Sequence, residues 1–138
     1  MRTDEWETPD ALFGALHAEF GFTIDVCASP ANAKLPRYWT QADDALLQDW
    51  AGERCWMNPP YGRPIAKWIR KAHQESERGA LVVCLVPAST DTAWWHDYCV
   101  RGVVRFLRGR LCFRSGERSG RAPFPSAVVI FGAGAASC

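Results

Sequence analysis

Apolar residues return along this chain in three different rhythms, and each rhythm predicts an element. After Thr8 and Pro9, the residues Leu12, Phe13, Leu16 and Phe20 recur every three or four positions before Gly21, which predicts a helix over residues 9–20. Thr8 is its expected N-cap and Pro9 its first residue, because proline lacks the N–H that would go unbonded there. Residues 22–27 (FTIDVC) are β-branched and aromatic and break at Ala28, Ser29 and Pro30, so they read as a strand feeding a turn. Residues 31–53 are polar and irregular, apart from a helical turn around residues 43–47. Residues 54–57 form a brief strand that stops at two consecutive prolines.

Pro64 opens a second helix in which Ile65, Trp68, Ile69 and Ala72 keep helical spacing, with Lys67, Arg70, Lys71 and Glu75 on the other side; Gly79 closes it. Residues 80–86 (ALVVCLV) are continuously apolar, the pattern of a strand buried on both faces, so helices are expected on both sides of it. Ser89 or Thr90 is the expected cap of a third helix running through Trp94, Trp95 and Tyr98. Short strands follow at residues 103–107 and 111–113, and a last one at 127–131 after the Pro123-Phe124-Pro125 turn. Helices alternating with strands, followed by a hairpin, argue an α/β sheet with a largely parallel centre and an antiparallel C-terminal hairpin. Residues 132–138 read as a frayed tail.

The chain has 138 residues, about the size of one domain. With 48% hydrophobic and 22% charged residues it can bury a core and is expected to be globular and soluble. No apolar run approaches the roughly 20 residues that span a bilayer, and the acidic start does not resemble a secretory signal, so no membrane partner is expected and the cytoplasm is the expected compartment. The six cysteines show no CxxC pairing, and the three histidines have no metal-ligand spacing, so neither a disulfide framework nor a metal site is predicted. The net charge of +1 conceals a division: residues 1–53 hold three basic and ten acidic side chains, whereas residues 54–138 hold thirteen and five. Seven arginines fall within residues 101–121, against the single acid Glu117. Such a cluster suits a polyanion, and equally suits a solvated hairpin facing an acidic half.

The most informative residues are Asn58, Pro59, Pro60 and Tyr61, placed where a strand ends, which is where open α/β sheets form their ligand crevice. The prolines stiffen the backbone and leave carbonyls without sheet partners, the Asn58 amide oxygen is a second acceptor, and Tyr61 offers a ring face. Two acceptors beside an aromatic suit an exocyclic amino group on a flat heterocycle. A rigid strand-to-helix turn with a packed tyrosine is the plain alternative.

Asp4-Glu5-Trp6, Thr8-Pro9, Asp25-Val26-Cys27-Ala28, Asn58-Pro59-Pro60-Tyr61 and Pro123-Phe124-Pro125-Ser126-Ala127 together resemble the phage-type DNA N6-adenine methyltransferases. That resemblance implies a reduced class I (Rossmann-like) methyltransferase sheet, S-adenosylmethionine as cofactor and DNA as partner. It also implies that Asn58 and the Pro59 carbonyl accept from the adenine N6 amino group, with Pro60 stiffening the turn and Tyr61 stacking on the base, and that no metal takes part. Cytosine N4, RNA adenine, a protein glutamine amide, or DNA binding without catalysis remain alternatives. For the cofactor, the resemblance points to Thr8 and Pro9 at its methionine end, to Asp25, Cys27 and Ala28 around its amino group, and to Trp6 as a cover. Asp44 and Asp49 are candidates for its ribose or adenine. Only 33 positions separate Asp25 from Asn58, too few for the two further strands of a full methyltransferase sheet. No segment is large enough to be a separate target-recognition domain, so DNA contacts are expected from Arg110, Arg114, Arg118 and Arg121. The oligomeric state is not legible.

Overall fold

A computed structural model describes residues 8–115 and 118–132. Among the described residues, seven strands and three α-helices follow one another as α1 (Asp10–Phe20), β1 (Ile24–Asp25), β2 (Arg54–Met57), α2 (Ile65–Glu77), β3 (Leu81–Pro87), α3 (Ala93–Asp97), β4 (Val103–Phe106), β5 (Cys112–Ser115), β6 (Arg118–Arg121) and β7 (Ser126–Phe131). Five strands form one sheet in the order β1-β2-β3-β7-β4, while β5 and β6 pair as a separate hairpin. The β1, β2 and β3 ladders are parallel, and β7 runs antiparallel to both β3 and β4. Four of the five strands therefore point the same way. The mixed α/β architecture is the one expected, with a difference of placement: the reversed strand β7 lies inside the sheet and β4 takes the edge.

All seven residues of β3 and all six of β7 are buried, which explains why these segments carry no polar alternation. Phe13 of α1 meets Trp56 of β2 edge-on at 5.3 Å and lies 5.8 Å from Phe22, placing α1 on the Trp56 face of the sheet. On α2, Ile65, Ile69, Ala72 and Glu75 are buried. The buried Glu75 carboxylate accepts the Trp50 N–H at 2.6 Å and pairs with Arg78 at 3.1 Å, tying the irregular residues 45–50 to that helix. Beyond β1 the ladder continues as a single parallel bridge from Asp25 to Tyr38. Residues 26–36, which cross between them, contain no helix, so the outer sheet is reduced to a fragment.

Several predicted boundaries shift. Pro9, not Thr8, is the cap of α1, since the Phe13 N–H bonds to the Pro9 carbonyl and no side chain caps the helix. The strand expected over residues 22–27 shrinks to Ile24–Asp25, because the Asp25 carboxylate bends the chain back immediately afterwards. The cap of α3 is Thr92, whose hydroxyl accepts from the Trp95 N–H; Ser89 and Thr90 are spent on tight turns, each donating its N–H two residues back. That helix stops at Asp97. Strand β6 went unrecognised, because Arg-Ser-Gly-Arg has no apolar rhythm. Of the tail, residues 133–138 lie outside the described residues.

Two glycines predict opposite stability changes. A Cβ at Gly132 (φ +114) would sit 2.4 Å from the Ala80 carbonyl oxygen, whereas one at Gly14, on an exposed turn of α1, would meet nothing within 4 Å. Urea denaturation is expected to show Gly132→Ala losing roughly 2–4 kcal/mol and Gly14→Ala gaining about 0.5–1 kcal/mol.

Candidate active site

The carboxyl ends of β1, β2 and β3 fall at one end of the sheet because the three strands are parallel and in register. Helix α1 runs back against them, so its N-terminus reaches the same end. This brings Thr8 to Asn58 across 50 residues of chain: the Asn58 Nδ2 donates to the Thr8 hydroxyl at 3.0 Å. On its other side, the Asn58 Oδ1 lies 3.1 Å from the Tyr61 hydroxyl, which also reaches the Leu85 carbonyl of β3 at 3.2 Å. Burial raises the Tyr61 phenol well above its usual range, so it remains a hydrogen-bond donor at any physiological pH. The turn Asn58-Pro59-Pro60-Tyr61 is thus anchored to the central strand at one end and to the start of α1 at the other.

Tyr61 is not an open platform. The residue is 8% exposed, and its ring meets Phe124 nearly perpendicularly, with centroids 5.5 Å apart. Phe124, on the return limb of the hairpin, packs against the candidate site, a contact that sequence reasoning did not assign; its signal was an aromatic locked between two prolines just before a buried strand. A base that stacks on Tyr61 must displace part of this contact.

Asp25 also faces inward. It is 2% exposed, and its two oxygens accept from the Cys27 N–H at 3.2 Å and the Lys34 N–H at 3.1 Å. Desolvation raises its pKa to about 6, against the lowering effect of those two N–H groups and the Lys34 charge. The carboxylate therefore folds the loop after β1, and anything bound there meets that loop first. The Cys27 thiol, pushed up to about 12 by burial, is neutral, and the Ala28 N–H is bonded to the Trp39 carbonyl. Lys34 reaches back to Asp10 in the first turn of α1 at 2.8 Å.

Other predicted residues fall elsewhere. Asp44 is exposed, with a left-handed backbone (φ 51) at the start of a short 3-10 turn, and no side-chain contact ties it to Asn58. Asp49 is at the opposite end of the sheet: it accepts from the Ala51 N–H and pairs with Arg78, just before β3 begins. The irregular path of residues 40–53 gave no period from which to read this. Trp6 lies outside the described residues. The hairpin leaves the sheet between the end of β4 and the start of β7, the same end as Asn58, with Arg110 and Arg121 exposed. Arg114 and Arg118 lie in β5 and β6, and their side chains lie outside the described residues. A cavity of about 250 Å³ lined by His73, Ser76, Arg101 and Phe131 lies at the far end of the sheet from this chemistry. Among the described residues there is no metal-binding cluster and no helix long and apolar enough to cross a membrane.

A mixed α/β sheet with an amide, a paired-proline turn and an aromatic at its carboxyl end fits an α/β methyltransferase, the class to which the comparisons assign the chain. The chain belongs to the DNA N-6-adenine-methyltransferase (Dam) family, whose profile matches residues 1–131. It is 32% identical over 136 residues to the DNA N-6-adenine-methyltransferase of Haemophilus phage HP1, covering 93% of this chain and 78% of that one. With the enzyme of the same name from Escherichia phage T1 it shares 31% over 96 residues, covering 68% of this chain and 40% of the relative.

The Asp25 environment predicts a pH signature. A carboxyl whose pKa is raised on folding contributes stability that is complete below its unfolded value, 3.8, and lost as pH climbs through about 6. Measured against Asp25→Asn, the stability of the wild type is expected to fall across that window by roughly 3 kcal/mol and to level off above it.

Proposed function

We propose that S-adenosylmethionine is the methyl donor with which this chain methylates adenine N6 in DNA, and that Asn58 is the residue on which the transfer depends. The observation that carries this reading is the Asn58 amide, held from both sides at the carboxyl end of β2. Its oxygen and the Pro59 carbonyl are two acceptors for the two hydrogens of an adenine amino group. Taking both fixes the nitrogen and directs its lone pair out of the base plane, so the contribution is orientation and electrostatics. Pro60 keeps the turn rigid. Tyr61 stacks on the base once Phe124 gives way.

The groups around this end fit an amino-acid-headed donor, which would bear an ammonium and a carboxylate. The loop folded by Asp25 through Cys27 and Ala28 offers the negative partner. The N-terminus of α1 offers the positive end of a helix dipole through the backbone that starts at Thr8 and Pro9, with no part taken by the Thr8 hydroxyl, and Trp6 lies just before it in the chain. When bound, the donor supplies an activated methyl group for the amine to take. Asp44 stays a candidate for the donor's ribose or adenine; Asp49, at the far end of the sheet, does not.

DNA is the partner of the hairpin. An adenine inside a duplex is out of reach, so the base must leave the stack, and phosphate contacts from Arg110, Arg114, Arg118 and Arg121 offset the unstacking. One domain carries all of these parts, working in the cytoplasm.

Asn58→Ala is expected to lower kcat for N6-methyladenine formation by roughly 100-fold or more. Calorimetric affinity for S-adenosylhomocysteine should stay within about threefold. Retained activity, or methyl found on another base after nucleoside analysis, overturns the reading. Replacing the four hairpin arginines by alanine is expected to reduce the slope of log affinity against log salt by about 3–4; an unchanged slope removes the hairpin from the interface.

A further inference from the structure

Thr8 stands directly before the cap of α1, yet no side chain caps that helix. Its hydroxyl turns away and accepts from the Asn58 Nδ2 at 3.0 Å, and at 3% exposed the residue leaves little access for a water to take its place. An asparagine amide is nearly symmetric in shape and opposite in chemistry at its two ends. A half-turn about its last bond exchanges an acceptor for a donor. Only the oxygen can receive a hydrogen from an amino group, and an amide turned the wrong way would meet that group donor to donor. Tyr61 addresses one end of the amide from β3, at 3.1 Å from Oδ1, and Thr8 addresses the other from α1.

We propose that Thr8 is a positioning residue for methyl transfer: by taking an Nδ2 hydrogen, its buried hydroxyl holds the Asn58 side chain at the end of β2, where the adenine amino group would meet it. This assignment rests on the role of Asn58 proposed above. It gives Thr8 a task in the chemical step, acting through Asn58, while Pro9 starts the helix. Loss of the hydroxyl therefore acts on turnover, whereas a donor-binding role would act on affinity.

The test compares Thr8→Val, which keeps the shape without the hydroxyl, with Thr8→Ser, which keeps the hydroxyl, in the full chain. Thr8→Ala serves as a second truncation should valine disturb folding, and Asn58→Ala is run alongside. Steady-state methylation of a DNA duplex, calorimetric binding of S-adenosylhomocysteine and thermal melting are measured for each. Thr8→Val is expected to lose roughly tenfold in kcat, with KM for DNA, S-adenosylhomocysteine affinity and melting temperature close to wild type. Thr8→Ser should restore most of the turnover. If kcat survives both truncations, or falls only together with S-adenosylhomocysteine affinity, Thr8 does not position Asn58. If Asn58→Ala itself remains active, the catalytic reading of Asn58 fails, and the role of Thr8 fails with it.

Discussion

Strand β3 must be covered on both faces and paired on both edges, because its seven residues are buried and each brings backbone groups that water cannot reach. Its neighbours answer that demand in different senses: β2 pairs parallel on one edge and β7 antiparallel on the other. The parallel edge sets the level at which β2 ends and Asn58 begins. The antiparallel edge brings the chain back so that Phe124, just before β7, meets Tyr61. The Leu85 carbonyl, on β3 itself, takes the Tyr61 hydroxyl. The site is thus assembled from segments far apart in sequence, whose common reference is a strand with no polar side chain.

Where this small sheet lacks secondary structure, buried carboxylates organise the chain. Asp25 gathers the loop after β1 by accepting two backbone N–H groups, and Glu75 holds the segment before β2 through the Trp50 N–H. A buried carboxylate gives up hydration and regains part of it from fixed donors. For Asp25 the balance falls short, which is why its proton is held up to about pH 6. Local loops fixed by single carboxylates are a compact substitute for a crossover helix, and at Asp25 this leaves stability sensitive to protonation.

Much of the fold was legible where composition and punctuation agreed. Residues 80–86 are so uniformly apolar that a doubly covered strand was the natural reading, and Pro64 and Gly79 bracket α2 closely. The location of Asn58 was legible too, since two prolines forbid the strand from continuing. What the sequence hid were relations across distance. Nothing local tells that Thr8 serves Asn58 and not its own helix, that the Asp25 carboxylate turns inward, or that β7 inserts between β3 and β4. Asp49 looked equivalent to Asp44 as an exposed acid, and only the path of residues 40–53, which has no period, sends it to the far end of the sheet.

The contact between Phe124 and Tyr61 joins the root of the hairpin to the turn Asn58-Pro59-Pro60-Tyr61, while the tip of the described ladder, at the Ser115–Arg118 pair, is separated from both by the rest of β5 and β6. These two ends are under different constraints. A change of length beyond the Ser115–Arg118 pair leaves the root in register, because the ladder between it and the Cys112–Arg121 pair is unaltered. An insertion between Ala122 and Ser126 would shift Phe124 against a strand whose alignment with β3 is already fixed. Lineages diversifying this enzyme would therefore accumulate length variation at the tip and keep the root invariant in length, and a grafted hairpin would have to be cut outside Phe124.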